Sequence, residues 1–204
     1  MVPYELFRQT LDGAGIDAVE VRAGNLRAIV LPGLGGRVFV RHGESILHRF
    51  DHASVRRPST ELGVYNNYGG LNIWPAPEGG AFGWTYTPQG VWHVQAGVNE
   101  VPFTVVERRD AVIRIRKETR ITNRKGVPLD VTMDRTISIR PAPFAPGLEG
   151  CSVTVQDAFH CSPRPDALIA PWTLEQFDAV LEHAYEVLED CEILILHLRK
   201  DKRF

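Results

Sequence analysis

The sequence predicts a mainly β protein, an antiparallel β-sandwich closed by one C-terminal helix. Three observations carry this. Residues 111–140 alternate apolar and charged positions with period two. Short β-branched runs recur along the first 160 residues between glycine and proline turn signals. From Trp172 onward the apolar spacing becomes helical.

Taken in order, "NLRAIVLPGLGGRVFVRHGES" holds two apolar runs separated by Pro32, Gly33, Gly35 and Gly36, which predicts two strands joined by a tight turn. In "AVIRIRKETRITN", Val112, Arg114 and Arg116 share one face and Ile113 and Ile115 the other, a strand with one wet side. "NRKGVP" turns the chain, and "LDVTMDRTISIRP" returns as the hairpin partner, its outward charges paired across strands. "CSVTVQDAF" makes a further strand, for roughly seven or more before Pro163. Leu174, Phe177, Val180, Leu181, Ala184, Val187 and Leu188 then predict an amphipathic helix over Thr173–Asp190. Thr173 and Gln176 stand at capping-box spacing behind Pro171. "CEILILHLRK" follows as a short strand.

The totals exclude several classes. A chain of 204 residues, 44% hydrophobic and 24% charged, fits one domain spanning 1–204. A formal charge of −2 gives no field that favours nucleic acid or an anionic membrane. No run approaches the ~20 apolar residues needed to cross a bilayer. The opening "MVPYELFRQTLDGAG" lacks a basic head before an apolar core, and Cys151, Cys161 and Cys191 show no CxxC spacing, so a cytoplasmic protein is expected. His42, His48 and His52 lie among Arg41, Arg49 and Asp51 and fit solvated side chains better than a metal site. "GLGGRV" is not a dinucleotide fingerprint. Neither metal nor cofactor is expected.

The segment Tyr65–Val94 is the densest in functional chemistry. It holds Trp74, Trp84 and Trp92, three of the four tryptophans, with Glu78, His93, Asn66, Asn67 and Asn72. Pro75 and Pro77 stiffen it, and the pairs Gly69–Gly70 and Gly79–Gly80 let it turn sharply. Flat indole faces beside carboxylate, amide and imidazole groups suit a sugar, whose C–H face stacks while its hydroxyls bind polar partners. Taken singly, each indole fits core packing better than ligand stacking. Taken together on a stiff loop, the cluster also fits a ligand site.

"LPGLGGRV", then "GGLNIWPAPEGGAFGW", "GVWHV" and the later "APWTLEQF" resemble the galactose mutarotase-like superfamily, in its bacterial branches, over roughly Gly24 to Phe177. The resemblance implies a β-supersandwich whose concave face holds a small-molecule carbohydrate. Aldose 1-epimerases, hexose-phosphate mutarotases and sugar-binding domains share that fold, so the reaction must be read from the site. Aldose epimerases place a catalytic glutamate late in the chain. Here Glu189 and Glu192 are the last acidic candidates before the tail and neither sits in an alignable motif, which implies a shortened member whose open sheet edge favours a homodimer.

Anomer interconversion needs a base at the C1 hydroxyl and an acid at the ring oxygen, each contributing ~10²–10⁴-fold. The acid is expected to be His93 or His160, the base Glu78 or Asp157, with Arg37 orienting a hydroxyl or the ring oxygen. Asn67, Asn72, Trp74, Trp84 and Trp92 complete the expected substrate contacts. The alternative is a non-catalytic sugar-recognition module, or an inactive shortened member.

Overall fold

A computed structural model describes residues 2–55, 66–142 and 151–177. Their elements run β1 (Val2–Pro3), α1 (Tyr4–Gly13), β2 (Val19–Ala23), β3 (Leu26–Leu31), β4 (Arg37–His42), β5 (Ser45–Ile46), α2 (His52–Val55) and β6 (Gly70–Ala76). They continue through α3 (Ala96–Asn99), β7 (Thr104–Arg109), β8 (Val112–Thr122), β9 (Pro128–Pro141), β10 (Cys151–His160) and β11 (Ala170–Gln176). Two antiparallel sheets form. One is ordered β10-β9-β8-β7. The other is ordered β1-β5-β4-β3-β2, with β6 beside β4 and β11 beside β6.

The expected hairpin is present, with Val112 to Thr122 paired to Ser138 to Pro128. Its period-two pattern buries Ile113, Ile115, Ile121, Val131, Met133, Ile137 and Ile139 against the other sheet. The opposite face carries the charges. Arg116 lies across from Asp134 and donates to it at 2.8 Å, Arg114 joins at 3.1 Å, and Arg120 forks onto Asp130 at 2.7 Å. The Asn123 carboxamide closes the turn by accepting from the backbone N–H groups of Lys125 and Val127.

A third layer lies outside the larger sheet. Helix α1 buries Phe7, Thr10 and Leu11, spaced three and four apart, against Ile29, Leu31, Phe39, Ile46 and Phe50. Removing Phe7 and Leu11 from water contributes about 1.5–3 kcal/mol each. None of the described helices is long and apolar enough to cross a membrane.

The expected helix over Thr173–Asp190 is corrected at its start. Thr173 to Gln176 belong to β11, paired with Ile73 to Gly70. Residues 178–190, and the strand expected in "CEILILHLRK", lie outside the described residues. The reason is long-range. An exposed backbone ladder on β6 supplies seven partners for Ala170 to Gln176, and local capping chemistry does not compete with it. Two side-chain bonds seat the strand: the Thr173 hydroxyl donates to Asp157 at 2.5 Å, and Glu175 meets His48 Nε2 at 2.9 Å. His48 Nδ1 also accepts from the Val40 N–H, so this histidine has a structural role.

Candidate functional site

Two glycines aim β6. Gly69 and Gly70 both take positive φ, at 81° and 70°. A Cβ on Gly69 would collide with the Arg49 carbonyl oxygen, and one on Gly70 would lie 2.7 Å from the Phe39 ring. The Gly69 carbonyl accepts from Arg37 Nη1 at 2.7 Å, and the Asn67 carboxamide accepts from the Gly69 N–H at 3.3 Å. Asn67 therefore shapes the turn that leads into the site.

Beyond the turn, Asn72 and Arg37 are both buried. With its carboxamide oxygen turned to Arg37, Asn72 accepts from Arg37 Nη1 at 2.9 Å and Nη2 at 3.2 Å, and from Trp74 Nε1 at 3.3 Å. The Trp74 ring lies 6.5 Å from that of Trp92 at 42°. Trp92 Nε1 in turn donates to Glu78 Oε1 at 3.3 Å. Arg37, Asn72, Trp74, Trp92 and Glu78 thus form one contiguous chain of contacts. Glu78 Oε2 takes no hydrogen bond among the described residues, which leaves an acceptor beside the indoles.

The sequence reading missed one member of this face. Trp172 lies directly across from Trp74 in the β6–β11 ladder, so the two indoles project on the same side, and Trp172 is 37% exposed. The signal was the period-two spacing of Trp172 and Leu174, masked by the helical spacing that begins at the same place.

The other candidates lie elsewhere. Trp84 is fully buried in the core between the sheets, its Nε1 donating to the Leu168 carbonyl at 2.8 Å. His93 is not on a strand of either sheet. Its N–H donates to the Thr85 carbonyl, and its ring lines a cavity of about 340 Å³ with Tyr86, Gln95, Thr122 and Asn123. Nδ1 of His93 is shielded from solvent and has no hydrogen-bond partner among the described residues. Asp157 is committed to Arg135, with Nε at 2.7 Å and Nη2 at 3.2 Å, inside the sandwich. Burial pushes the Arg135 guanidinium below its ordinary range, and the Asp157 charge opposes that. His160 is exposed on the outer face of the four-stranded sheet, 3.3 Å from Asp134. Asp134 is held below the usual carboxylate range mainly by its hydrogen bond from Arg116. No hydrogen bond or ion pair joins any two of Glu78, His93, Asp157 and His160. Of the four, Glu78 is the one in contact with the tryptophan face.

Residues 14–143 match a family described as one of unknown function, DUF6786. The chain belongs to that family. No curated protein and no solved structure matches it. The DUF6786 match takes in β2 through β9, including Arg37 and the whole of Tyr65–Val94, while Trp172 lies beyond it.

Proposed function

We propose that this DUF6786 protein binds a small carbohydrate on the face formed by Trp172, Trp74 and Trp92. The observation that carries the reading is the alignment of exposed Trp172 beside Trp74, next to a third indole, Trp92, that ends on a carboxylate with an uncommitted oxygen. A pyranose stacks its C–H face on the exposed indole, a contact of about 0.5–1.5 kcal/mol per ring beyond its buried area. Glu78 accepts a hydroxyl at the rim, while the Asn72 contacts with Arg37 and Trp74 hold the wall rigid. Aldose 1-epimerase-like chemistry is the second reading, favoured by Glu78 alone: it supplies a base at the tryptophan face, and the acid must then come from a group not in contact with it.

The test is saturation-transfer NMR with a panel of aldoses, sugar acids and sugar phosphates. Binding in the wild type, and at least tenfold weaker binding in Trp172→Ala with an unchanged melting temperature, supports the recognition reading. Anomer exchange above the uncatalysed rate, abolished in Glu78→Gln while binding persists, would add the isomerase. If no sugar binds, or Trp172→Ala binds as the wild type does, the proposal fails. Trp74 is the poorer probe, because only 4% of it is exposed and its truncation costs core packing.

A further inference from the structure

At the edge of the larger sheet farthest from β11, a groove of about 450 Å³ is lined by Glu20, Arg22, Arg27, Arg108, Arg109 and Asp110. The chain as a whole is net negative, yet four guanidinium groups converge here from β2, β3 and β7. Their placement is costly. Arg22 and Arg27 are direct cross-strand partners, and Arg27 is also the direct partner of Arg41, so three like charges stand in a row across β2, β3 and β4. Like charges directly opposite one another destabilise a sheet.

Protein groups relieve only part of this. Arg41 is neutralised by Glu44 at 3.1 Å and lies 3.6 Å over the Tyr4 ring. Arg109 pairs with Glu107 at 2.7 Å. Arg27 donates to the Gly24 and Leu26 carbonyls, and Arg108 to the Glu20 carbonyl, contacts that orient a guanidinium without cancelling its charge. Arg22 makes no side-chain hydrogen bond or ion pair among the described residues. The Glu20 carboxylate accepts from the Tyr4 hydroxyl at 2.9 Å and keeps its charge, and the Asp110 carboxylate also lines the groove, but neither forms an ion pair with an arginine among the described residues. Three guanidinium groups therefore stand without a carboxylate partner around one cavity, two of them held in place by backbone.

We propose that Arg22, Arg27 and Arg108 form a binding site for a phosphate-class anion. Guanidinium groups match phosphate oxygens with paired N–H donors, and a di- or trianion relieves the repulsion along the row. The site is separate from the tryptophan face and does not depend on the sugar-binding reading.

The experiment is isothermal titration of inorganic pyrophosphate into the full chain, with ionic strength held constant by KCl. Saturable binding is expected, weakened tenfold or more in Arg22→Gln and in Arg108→Gln, and unchanged in Arg8→Gln on helix α1. Pyrophosphate is also expected to raise the melting temperature of the wild type and leave that of Arg22→Gln unmoved. In the absence of anion, Arg22→Gln melts no lower than the wild type, because it removes one member of a like-charge pair and no hydrogen bond. Heat that disappears once KCl is matched, or an equal loss in Arg8→Gln, would overturn the proposal and leave these arginines as charges that keep two sheet edges from pairing with other chains.

Discussion

The Lys117 ammonium sits 4.6 Å over the Phe103 ring and donates to the Val98 carbonyl at 2.6 Å, inside the sandwich. Its pKa is pushed down to about 7, chiefly by burial and secondarily by the Arg135 charge. The folded protein therefore releases this proton near pH 7, whereas the unfolded chain keeps it until its ordinary value of 10.5. Across that window the unfolded state binds more protons, so stability rises with pH, by at most about 1.4 kcal/mol per unit. Below pH 7 both states are charged and the burial penalty is constant. Urea denaturation at pH 6, 8 and 10 should show the rise in the wild type and a flatter profile in Lys117→Met. An identical profile in the variant would mean the ammonium is hydrated in the folded protein. The parity of Lys117 with Ile113 and Ile115 was already visible in the sequence. What was not visible is that no outward turn of the strand rescues it, because Lys117 shares their face and the Val98 carbonyl comes from a different element.

At the scale of elements, Gly69 and Gly70 decide where β6 begins. Gly69→Ala places a methyl group against a backbone oxygen at positive φ, where neither side can yield cheaply, and should cost about 3 kcal/mol or more by thermal or chemical denaturation. A loss below about 1 kcal/mol would show that the turn re-forms without the Arg37–Gly69 bond. Strands β8 and β9 of the smaller sheet were legible because one face is wet and the other dry, which writes period two into them, whereas β7 was not read. Strand β11 was not. Thr173 with Gln176, behind Pro171, forms a plausible helix start, and only the β6 ladder, drawn from roughly a hundred residues earlier, decides otherwise. The same ladder hid Trp172 from the site. Helix α1 had a readable stripe in Phe7, Thr10 and Leu11, too short to stand out beside the strand signals. Within the site, the residue types of Tyr65–Val94 were legible. Which indole stays exposed was not: Trp84 and Trp74 are both buried in the core while Trp172 is not, and the Leu168 carbonyl that holds Trp84 lies far along the chain.

At the scale of the whole molecule, a buried polar junction ties the two sheets together. Arg135 of β9 holds Asp157 of β10 and donates through Nη1 to the Gly36 carbonyl ahead of β4, while Asp157 accepts from Thr173 of β11. Breaking a buried pair from one side leaves the other charge uncompensated. Arg135→Met should therefore cost about 3–5 kcal/mol, and Arg135→Met with Asp157→Leu should cost much less than the two single losses combined. A double-mutant cycle by denaturation measures this, and strict additivity would show that the two charges do not depend on each other. The β6–β11 ladder has a consequence in time. A ribosome adds roughly 5–20 residues each second, so β6 waits on the order of 5–20 s for the strand that completes it. Through that interval Trp74 and a row of backbone donors and acceptors stand open to other nascent chains. Pausing, crowding on the message or a shortage of chaperones should therefore lower the yield of this protein before they affect the stability of the finished fold.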